Sequence, residues 1–318
     1  MREYIVRRLL LIVPIIVGVS MLTFLAFQVI PGDTAVFVCG FGCTPETLHD
    51  IRAELGLDRP IYQQYTDWLS GVVRGDLGTS YQTKLPVTTE LGRKIPVTLE
   101  LLALALFLSL VLGIPPGILS AVRPGTVVDF IVRVVSVFWL SVPSFYIGLL
   151  IITFGASWFG WSPPNFATGT TPGLVAHPWQ NMETFLPPAF VLSVGIAAVI
   201  MRLTRSSMLE VMRNDYIRTA YSKGLRERSV VWRHALKNAM IPVATIIGLQ
   251  VGGLIGGSVL VETVFGLNGM GYYLLIAIGT RDVQVVEALV LIFALSYVVI
   301  NLIVDLSYAW LDPRIHYA

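Results

Sequence analysis

Six apolar runs, each long enough to cross a bilayer as a helix, constrain this chain more than any other feature. A helix needs about 20 residues to cross roughly 30 Å of hydrocarbon. The runs cover 9–30, 97–122, 130–154, 185–203, 241–261 and 283–306. They are continuous, whereas the strands of a β-barrel would alternate in polarity. With 55% of its residues hydrophobic and only 13% charged, the sequence predicts an all-α membrane protein with six transmembrane helices.

The first apolar run could be mistaken for a signal peptide because Arg2, Arg7 and Arg8 precede it. It is longer than the apolar region of a signal peptide, and no Ala-x-Ala-like cleavage site follows it. We therefore expect a retained membrane anchor.

The distribution of Lys and Arg predicts which side of the membrane each loop occupies. Basic residues lie before the first run, at Arg123 after the second, in the loop after the fourth, and at Arg314 after the sixth. The segment 160–184 contains no Lys or Arg, and the loop after the fifth run contains only Arg281. Because cytoplasmic loops carry the excess of basic residues, we expect a multi-pass protein of the cell membrane with both termini in the cytoplasm.

The segment 31–96, between the first two runs, is then expected outside the cell as a small folded insert. Its Cys39 and Cys43 are the only cysteines in the chain. An oxidising location favours a local disulfide between them. Free thiols are one alternative, and a metal site that includes His49 is another.

Several catalytic and nucleotide-binding motifs are absent from the sequence. It contains no Gly-x-x-x-x-Gly-Lys-Ser/Thr, no His-Glu-x-x-His and no Gly-x-Ser-x-Gly. These patterns would indicate a phosphate-binding loop, a zinc hydrolase and a serine hydrolase. We therefore expect a chain that is not an enzyme, has no catalytic, cofactor or metal site, and depends on a partner for any nucleotide.

Acidic residues in or beside the apolar runs are few and lie near the ends of the runs. They are Glu100, Glu262, Glu287 and Asp305. An ion-coupled carrier usually keeps ionisable groups near the middle of the membrane, facing a cavity. We expect each of these acids to be an interfacial side chain that reaches water, and a position along a substrate passage is the alternative.

Two features of the spans are expected to serve packing. Gly248, Gly252 and Gly256 recur every four residues in the fifth run, which predicts a bare helix face that another helix approaches closely. A sliding surface between helix bundles is the alternative. Pro143 in the third run is interpreted as a tolerated kink rather than a hinge.

The stretch 214–242 holds many Arg and Lys residues for so apolar a chain. Within it, Asp215 is a good N-cap and Gly224 a good C-terminal stop, which predicts a helix of about two turns. Three and four residue spacing places Ile217, Ala220, Tyr221 and Gly224 on one face. Because a short helix needs a surface to pack on, we expect it to dock. A basic loop against anionic lipid headgroups is the alternative.

The stretch DYIRTAYSKGLRERSVVWRHALKNAMIP resembles the coupling loop of the membrane subunits of ATP-binding-cassette (ABC) importers, in the dipeptide, oligopeptide and nickel branch. In the general motif, Glu-Ala-Ala is followed after three residues by Gly. Here Arg218, Thr219 and Ala220 occupy the first three places and Gly224 the last. The Glu is absent, and Pro242 lies further on than the proline of the general motif.

Four more stretches resemble the same branch, in the same order along the chain. They cover 2–33, 54–81, 96–121 and 261–291. The resemblance implies a six-helix permease subunit with the type I ABC importer fold. Its domains would be an N-terminal end and first helix (1–30), an external insert (31–96) and a five-helix core (97–318) with a cytoplasmic coupling loop (204–240).

The resemblance also implies partners. They would be a homologous second permease subunit, two ABC ATPase subunits that bind ATP and Mg²⁺, and an external solute-binding protein, with no nucleic acid. The residues that couple to an ATPase would be Asp215, Ile217, Arg218, Thr219, Ala220, Tyr221 and Gly224. Movement of the ATPases would be carried through this helix to the permease pair.

The branch carries several kinds of solute, and peptides are the commonest choice within it. Nickel chelates, glutathione and oligosaccharides are the alternatives. Two other classes of protein remain as rival readings of the composition, an ion-coupled secondary transporter and an intramembrane enzyme. Both would need ionisable or catalytic groups inside the spans, where the sequence offers few.

Overall fold

The computed structural model describes residues 2–29, 32–40, 42–168 and 171–311. Helices dominate this part of the chain, and its one β-type contact is an isolated antiparallel bridge between Thr79 and Pro86. The N-terminal elements are α1 (Arg2–Val29), α2 (Thr34–Cys39), α3 (Pro45–Glu54), α4 (Ile61–Val73), α5 (Val87–Val122), α6 (Val127–Ser141) and α7 (Ser144–Phe159). The C-terminal elements are α8 (Pro164–Thr168), α9 (Pro178–Met212), α10 (Asp215–Ser222), α11 (Glu227–Ser229), a π-helical segment (Val230–Ala235), α12 (Leu236–Phe265), α13 (Met270–Gly279) and α14 (Val283–Leu311).

The membrane-crossing segments agree with the hydropathy of the sequence. Five helical segments are long and apolar enough to span, namely Leu10–Val29, Val87–Val122, Pro178–Met212, Glu227–Phe265 and Val283–Val304. The pair α6 and α7 supplies a sixth when it is taken as one broken span. Each predicted run overlaps one of these segments, so the predicted all-α membrane fold is confirmed. Ile30 and Arg314 lie outside the described residues.

The third span is broken rather than kinked. Its two helices, α6 and α7, are bent by 97° at the break. Val142 leaves the helical conformation (φ −99°, ψ 125°), and Pro143 is the N-cap of α7. Proline has no N–H to donate, and its ring disfavours helical geometry in the residue before it. The interpretation of Pro143 as a tolerated kink in a continuous helix was therefore wrong.

The first of two compact units comprises Met1–Thr98 and Asn268–Val299. Its core lies where the start of α5 meets α13 and the first turns of α14. The buried residues of this cluster are Val87, Leu91, Met270, Tyr273, Ala277, Val285, Val286, Ala288 and Leu289. A buried hydrogen bond of 2.8 Å from the Met270 N–H to Thr98 Oγ1 joins α13 to α5. Segments far apart in sequence thus share one core.

The second unit comprises Leu99–Leu267 and Ile300–Ala318, and α9 lies at its centre against α6, α7 and α12. Two glycines of α5 allow its backbone to approach α9. A Cβ atom on Gly113 would lie 2.8 Å from Ile200 Cβ, and one on Gly117 would lie 2.7 Å from a backbone oxygen of α9. Any larger residue at these positions would push the two helices apart.

Candidate functional site

The short helix α10 forms where the sequence predicts it, with different capping. Its N-cap is Asn214, and Asp215 is its first residue, so the assignment of Asp215 as the N-cap was wrong by one position. The negative charge of Asp215 suits the first turn of a helix because backbone N–H groups are unpaired there. Gly224 lies just beyond the helix with φ +75°, the left-handed conformation expected of a C-terminal stop.

One face of α10 is buried inside this chain. Ile217 is fully buried and Ala220 is 7% exposed. Both belong to an apolar cluster that also contains Ile118, Ala121, Met208, Val230, Val231, Ala235 and Ala239. We call these nine residues the α10 seat. The seat covers Ile217 and Ala220 within this chain, and their predicted role in coupling to an ATPase stays a prediction. The apolar spacing predicted burial but could not identify the covering surface.

The opposite face of α10 is available to a partner. Its exposed residues are Asp215, Tyr216, Arg218, Thr219, Tyr221 and Ser222, which we call the α10 rim. Arg218 lies 3.5 Å from the Asp215 carboxylate across one helical turn. Burial and the nearby Glu227 carboxylate raise the pKa of Tyr221 above its ordinary value. Of the predicted coupling residues, Ile217 and Ala220 belong to the seat and Gly224 lies just beyond the helix, while the other four belong to the rim.

A π-helical segment supports the seat. Val230 and Ala235, near its two ends, are fully buried, whereas Trp232 between them is 56% exposed. The wider turn of a π-helix is rare and occurs frequently at functional sites. The Asn238 amide, on the next helix, donates a 2.9 Å hydrogen bond to the Tyr216 hydroxyl and joins α12 to the rim. The sequence pattern gave no signal for the π-helical turn, because apolar spacing does not distinguish it from an α-helix.

A buried ion pair connects the helices beside α10, and the sequence analysis missed it. Asp129 is 2% exposed. Its carboxylate accepts hydrogen bonds from Arg205 Nε at 2.7 Å, Ser120 Oγ at 2.6 Å and the Gly125 N–H at 3.0 Å. The carboxylate is thus shared by α5, the turn before α6, and α9. The predicted fourth run ends at residue 203, but α9 continues to Met212 and places Arg205 on a helix.

The glycine stripe of α12 serves packing over part of its length. Gly248 and Gly252 are buried, as expected of a packing face. Gly256 is exposed, and a Cβ atom there would meet nothing within 4 Å in this chain, so its predicted role in helix packing stays a prediction. A step of four residues over-rotates by about 40° around an α-helix, so a four-residue repeat drifts away from one face. Gly257 makes the close approach instead, because a Cβ atom on it would lie 2.9 Å from Leu192 Cδ1.

Two other groups of predicted residues have clear positions. Cys39 and Cys43 are joined by a disulfide, with their Cα atoms 5.6 Å apart. Among the described residues, no group of three or more His, Cys, Asp or Glu side chains could hold a metal ion.

Glu262 is fully buried and Glu287 is 3% exposed, so the expectation that these acids reach water was wrong. The side chain of Asp305 lies outside the described part of the chain.

Comparison with known protein families identifies the class of this chain. The family described as "Binding-protein-dependent transport system inner membrane component" matches residues 113–317. The chain belongs to this family. The companion family of N-terminal regions matches residues 1–102 of the permease, so the two matches together cover nearly all of it.

The permease has relatives that match it over its whole length. It is 37% identical to the dipeptide transport system permease protein DppB of Alkalihalophilus pseudofirmus, with 100% of both chains covered. It is 39% identical to DppB of Escherichia coli K12, with 100% of the permease and 99% of that chain covered. It is 38% identical to the glutathione transport system permease protein GsiC of Escherichia coli O6:H1, again with both chains fully covered. The predicted branch of ABC importer permeases is confirmed.

A solved structure supports the fold. The permease superposes on a chain of the inward-facing MetNI methionine ABC transporter with a TM-score of 0.52 and 22% identity. The superposition covers 70% of the permease and 96% of that chain. At this identity the likeness shows the fold alone, and it confirms the predicted importer permease fold.

Proposed function

We propose that the permease is the transmembrane subunit of an ATP-driven importer of di- and oligopeptides. The observation that carries this proposal is the full-length similarity to two dipeptide permeases at 37% and 39% identity. Glutathione is the second candidate because the GsiC permease is equally similar at 38%. An external solute-binding protein delivers the peptide, and a homologous second permease completes the passage.

The membrane topology is part of this proposal. Both termini and α10 lie in the cytoplasm, and residues 31–96 lie outside, where the binding protein docks. The disulfide between Cys39 and Cys43 supports an oxidising location for this insert. The proposed domains are the first helix (1–30), the insert (31–96) and the importer core (97–318) with its coupling loop (204–240).

The division of α10 into seat and rim suggests how force reaches the membrane helices. Each of the two ATPase subunits binds ATP with Mg²⁺ and holds the α10 rim of one permease through Tyr221, Arg218 and Thr219. The seat fixes Ile217 and Ala220 against Ile118 at the end of α5 and against Met208 on α9. Displacement of the rim therefore moves two spans together, because close-packed cores transmit displacement rather than absorb it.

The transport cycle then depends on two conformations of the permease pair. Closure of the ATPases on ATP favours the conformation that opens outward to receive peptide, and hydrolysis returns the pair to the inward-opening one. A peptide shifts the balance only by its difference in affinity for the two conformations. The contribution of this chain is the passage and the coupling contact.

Reconstitution of the complete transporter into liposomes tests the proposal. The vesicles would contain both permeases and both ATPases, with binding protein and a labelled dipeptide outside and ATP inside. We expect dipeptide uptake that requires ATP, Mg²⁺ and the binding protein. Uptake that persists without ATP but follows a proton gradient would replace the proposal with an ion-coupled carrier. Uptake of glutathione but not of dipeptides would favour the second candidate.

A further inference from the structure

A pocket of about 640 Å³ lies in the first unit, among the end of α1, helices α2 to α4, the loop before α5 and the first turn of α14. Pockets that bind small ligands usually measure about 300–1,000 Å³. None of the residues that line the pocket belongs to the α10 seat or rim, so the coupling function does not account for it.

Two buried polar side chains of the lining lack protein partners. Glu287 is 3% exposed, and its Oε1 atom has no hydrogen-bond partner among the described residues. Trp68 is 9% exposed, and its indole Nε1 is likewise unpartnered within the described chain. A buried polar group without a hydrogen bond costs free energy, and a buried charge costs more. Because both residues line the pocket, a ligand that carries a donor and an acceptor would suit these two unpaired groups.

The charge of the lining indicates the sign of the charge that a ligand should carry. Five carboxylates but only two guanidinium groups line the pocket. Both arginines are already paired, Arg52 with Asp33 and Arg59 with Asp67 at 3.1 Å. A third guanidinium, that of Arg281, lies outside the lining, beside Gly32 and over the ring of Phe37. Three carboxylates remain to attract a cation, and they belong to Asp58, Asp76 and Glu287.

Aromatic rings form the apolar part of the lining. They belong to Phe24, Phe27, Trp68 and Tyr81. Tyr65 holds two of them in place, because its ring centroid lies 5.4 Å from that of Phe24 and 6.2 Å from that of Trp68. Burial raises the pKa of Tyr81 to about 12, so its ring stays neutral and adds no further negative charge. Aromatic faces attract cations and pack against apolar side chains.

We propose that this pocket binds the amino terminus of a peptide. The ammonium group donates hydrogen bonds to the Glu287 carboxylate, and the first peptide carbonyl accepts one from the Trp68 indole N–H. The aromatic rings contact the first side chain of the peptide. This assignment rests on the proposed function and deepens it, because it makes the pocket a reception site that selects free amino termini before the peptide enters the passage.

Equilibrium binding to the purified transporter in nanodiscs, without binding protein, tests the assignment. The probes are the dipeptide alanyl-phenylalanine and its N-acetyl derivative, which keeps the carbonyl but loses the charge. We expect the free dipeptide to bind at least about tenfold more tightly, since hydrogen bonds between charged partners are the stronger class. Equal binding of the two probes, or no binding of either, would overturn the proposal.

Two variants test which side chains produce the preference for the free amino terminus. In Glu287→Gln, we expect the preference for the free amino terminus to fall from about tenfold to near one. In Trp68→Phe, we expect both probes to weaken by a similar factor of about three to ten, because both keep the carbonyl. The control is Glu54→Gln, an exposed acid on α3 outside the lining, which should change neither affinity.

The outcomes distinguish a failure of the pocket assignment from a failure of the proposed transport function. If Glu287→Gln does not fold, the two probes on the native protein and the Trp68→Phe variant still decide the question. If the preference for the free amino terminus persists in a folded Glu287→Gln variant, the assignment fails, and ordered water rather than a peptide satisfies Glu287 Oε1 and Trp68 Nε1. ATP-dependent dipeptide uptake would then continue. If uptake itself fails, the proposed function is lost, and the binding ratios still report on the pocket.

Discussion

Arg205 on α9 and Asp129 on α6 form an ion pair with 2.7 Å between Arg205 Nε and Asp129 Oδ1. Asp129 is 2% exposed, and its carboxylate also accepts hydrogen bonds from Arg205 Nη2 at 3.1 Å, from Ser120 Oγ and from the Gly125 N–H. Removal of one partner from such a pair leaves an uncompensated buried charge, which costs more than the intact pair contributes. The pair therefore joins α5, α6 and α9 beside the α10 seat.

The first prediction concerns this ion pair. We expect Asp129→Asn to lower the free energy of unfolding by about 3–5 kcal/mol, because Arg205 would keep its charge without a counter-ion. Equilibrium unfolding of the purified permease in mixed micelles measures the effect. The control Asp215→Asn breaks an exposed pair with Arg218 and should cost under about 1 kcal/mol. Equal losses in the two variants would contradict the structural role of Asp129.

The second prediction separates the α10 seat from the α10 rim. Ile217→Ala should lower the free energy of unfolding by about 2–5 kcal/mol, because it opens a cavity in a closed apolar cluster. Tyr221→Ala removes a side chain that is 41% exposed and should leave stability within about 0.5 kcal/mol. Co-purification of the ATPase subunits should instead fail in Tyr221→Ala. A stable Ile217→Ala variant, or a Tyr221→Ala variant that retains the ATPases, would contradict this division.

Features that depend on local chemistry could be predicted from the sequence. Hydropathy and length located the five long apolar helices and the bent pair α6 and α7, because the bilayer fixes how many apolar residues a helix needs. The helix α10 was predicted almost residue by residue, because Gly224 ends it in a conformation that few other residues adopt. The break at Pro143 was missed, because a proline in a membrane span can either kink the helix or end it.

Features that depend on long-range packing could not be predicted. The apolar face of α10 was recognised, but periodicity cannot say whether Ile217 is covered by this chain or by a partner. Asp129 and Arg205 are 76 residues apart in sequence, and no local pattern links them. Glu287 looked like an ordinary acid near a helix end, but it is buried and lines a pocket with residues of α1 and α4, which are distant in sequence. In each case the decisive neighbour is distant in sequence.

The third prediction concerns Gly224, whose φ of +75° disfavours any side chain. A Cβ atom there would meet nothing within 4 Å, so a larger side chain is not excluded by this chain itself. We expect Gly224→Ala and Gly224→Trp to cost a similar 1–2 kcal/mol of stability, roughly the cost of left-handed backbone geometry. Only Gly224→Trp should also lose ATP hydrolysis stimulated by the binding protein, with Arg226→Ala as the control. Normal stimulation in Gly224→Trp would place the ATPase contact elsewhere.

The fourth prediction concerns acid sensitivity in the insert. Burial raises the pKa of Asp33. Hydrogen bonds from Arg52 and the Ala35 N–H, together with the charge of Arg52, lower it by a larger amount, so the pKa lies below its ordinary value. Such a group stabilises the fold fully above its unfolded pKa of about 3.9, and this contribution is lost as pH falls through the lower folded pKa. The melting temperature of Asp33→Asn should therefore lie below that of the native protein by a constant amount above about pH 4. The difference should shrink below that pH, and a difference that grows on acidification would contradict the pairing with Arg52.

The last prediction tests the side of the membrane on which the insert lies and uses the only two cysteines of the chain. Because Cys39 and Cys43 are joined, an impermeant maleimide applied to intact cells should label nothing on the isolated permease. After treatment with an impermeant reductant, the same reagent should label it from outside, and a Cys39→Ser/Cys43→Ser double variant should remain unlabelled. Labelling without reduction would show free thiols. Labelling that requires permeabilised cells would place residues 31–96 in the cytoplasm. Both termini and the α10 rim would then lie outside the cell, because fixed numbers of spans separate these segments from the insert.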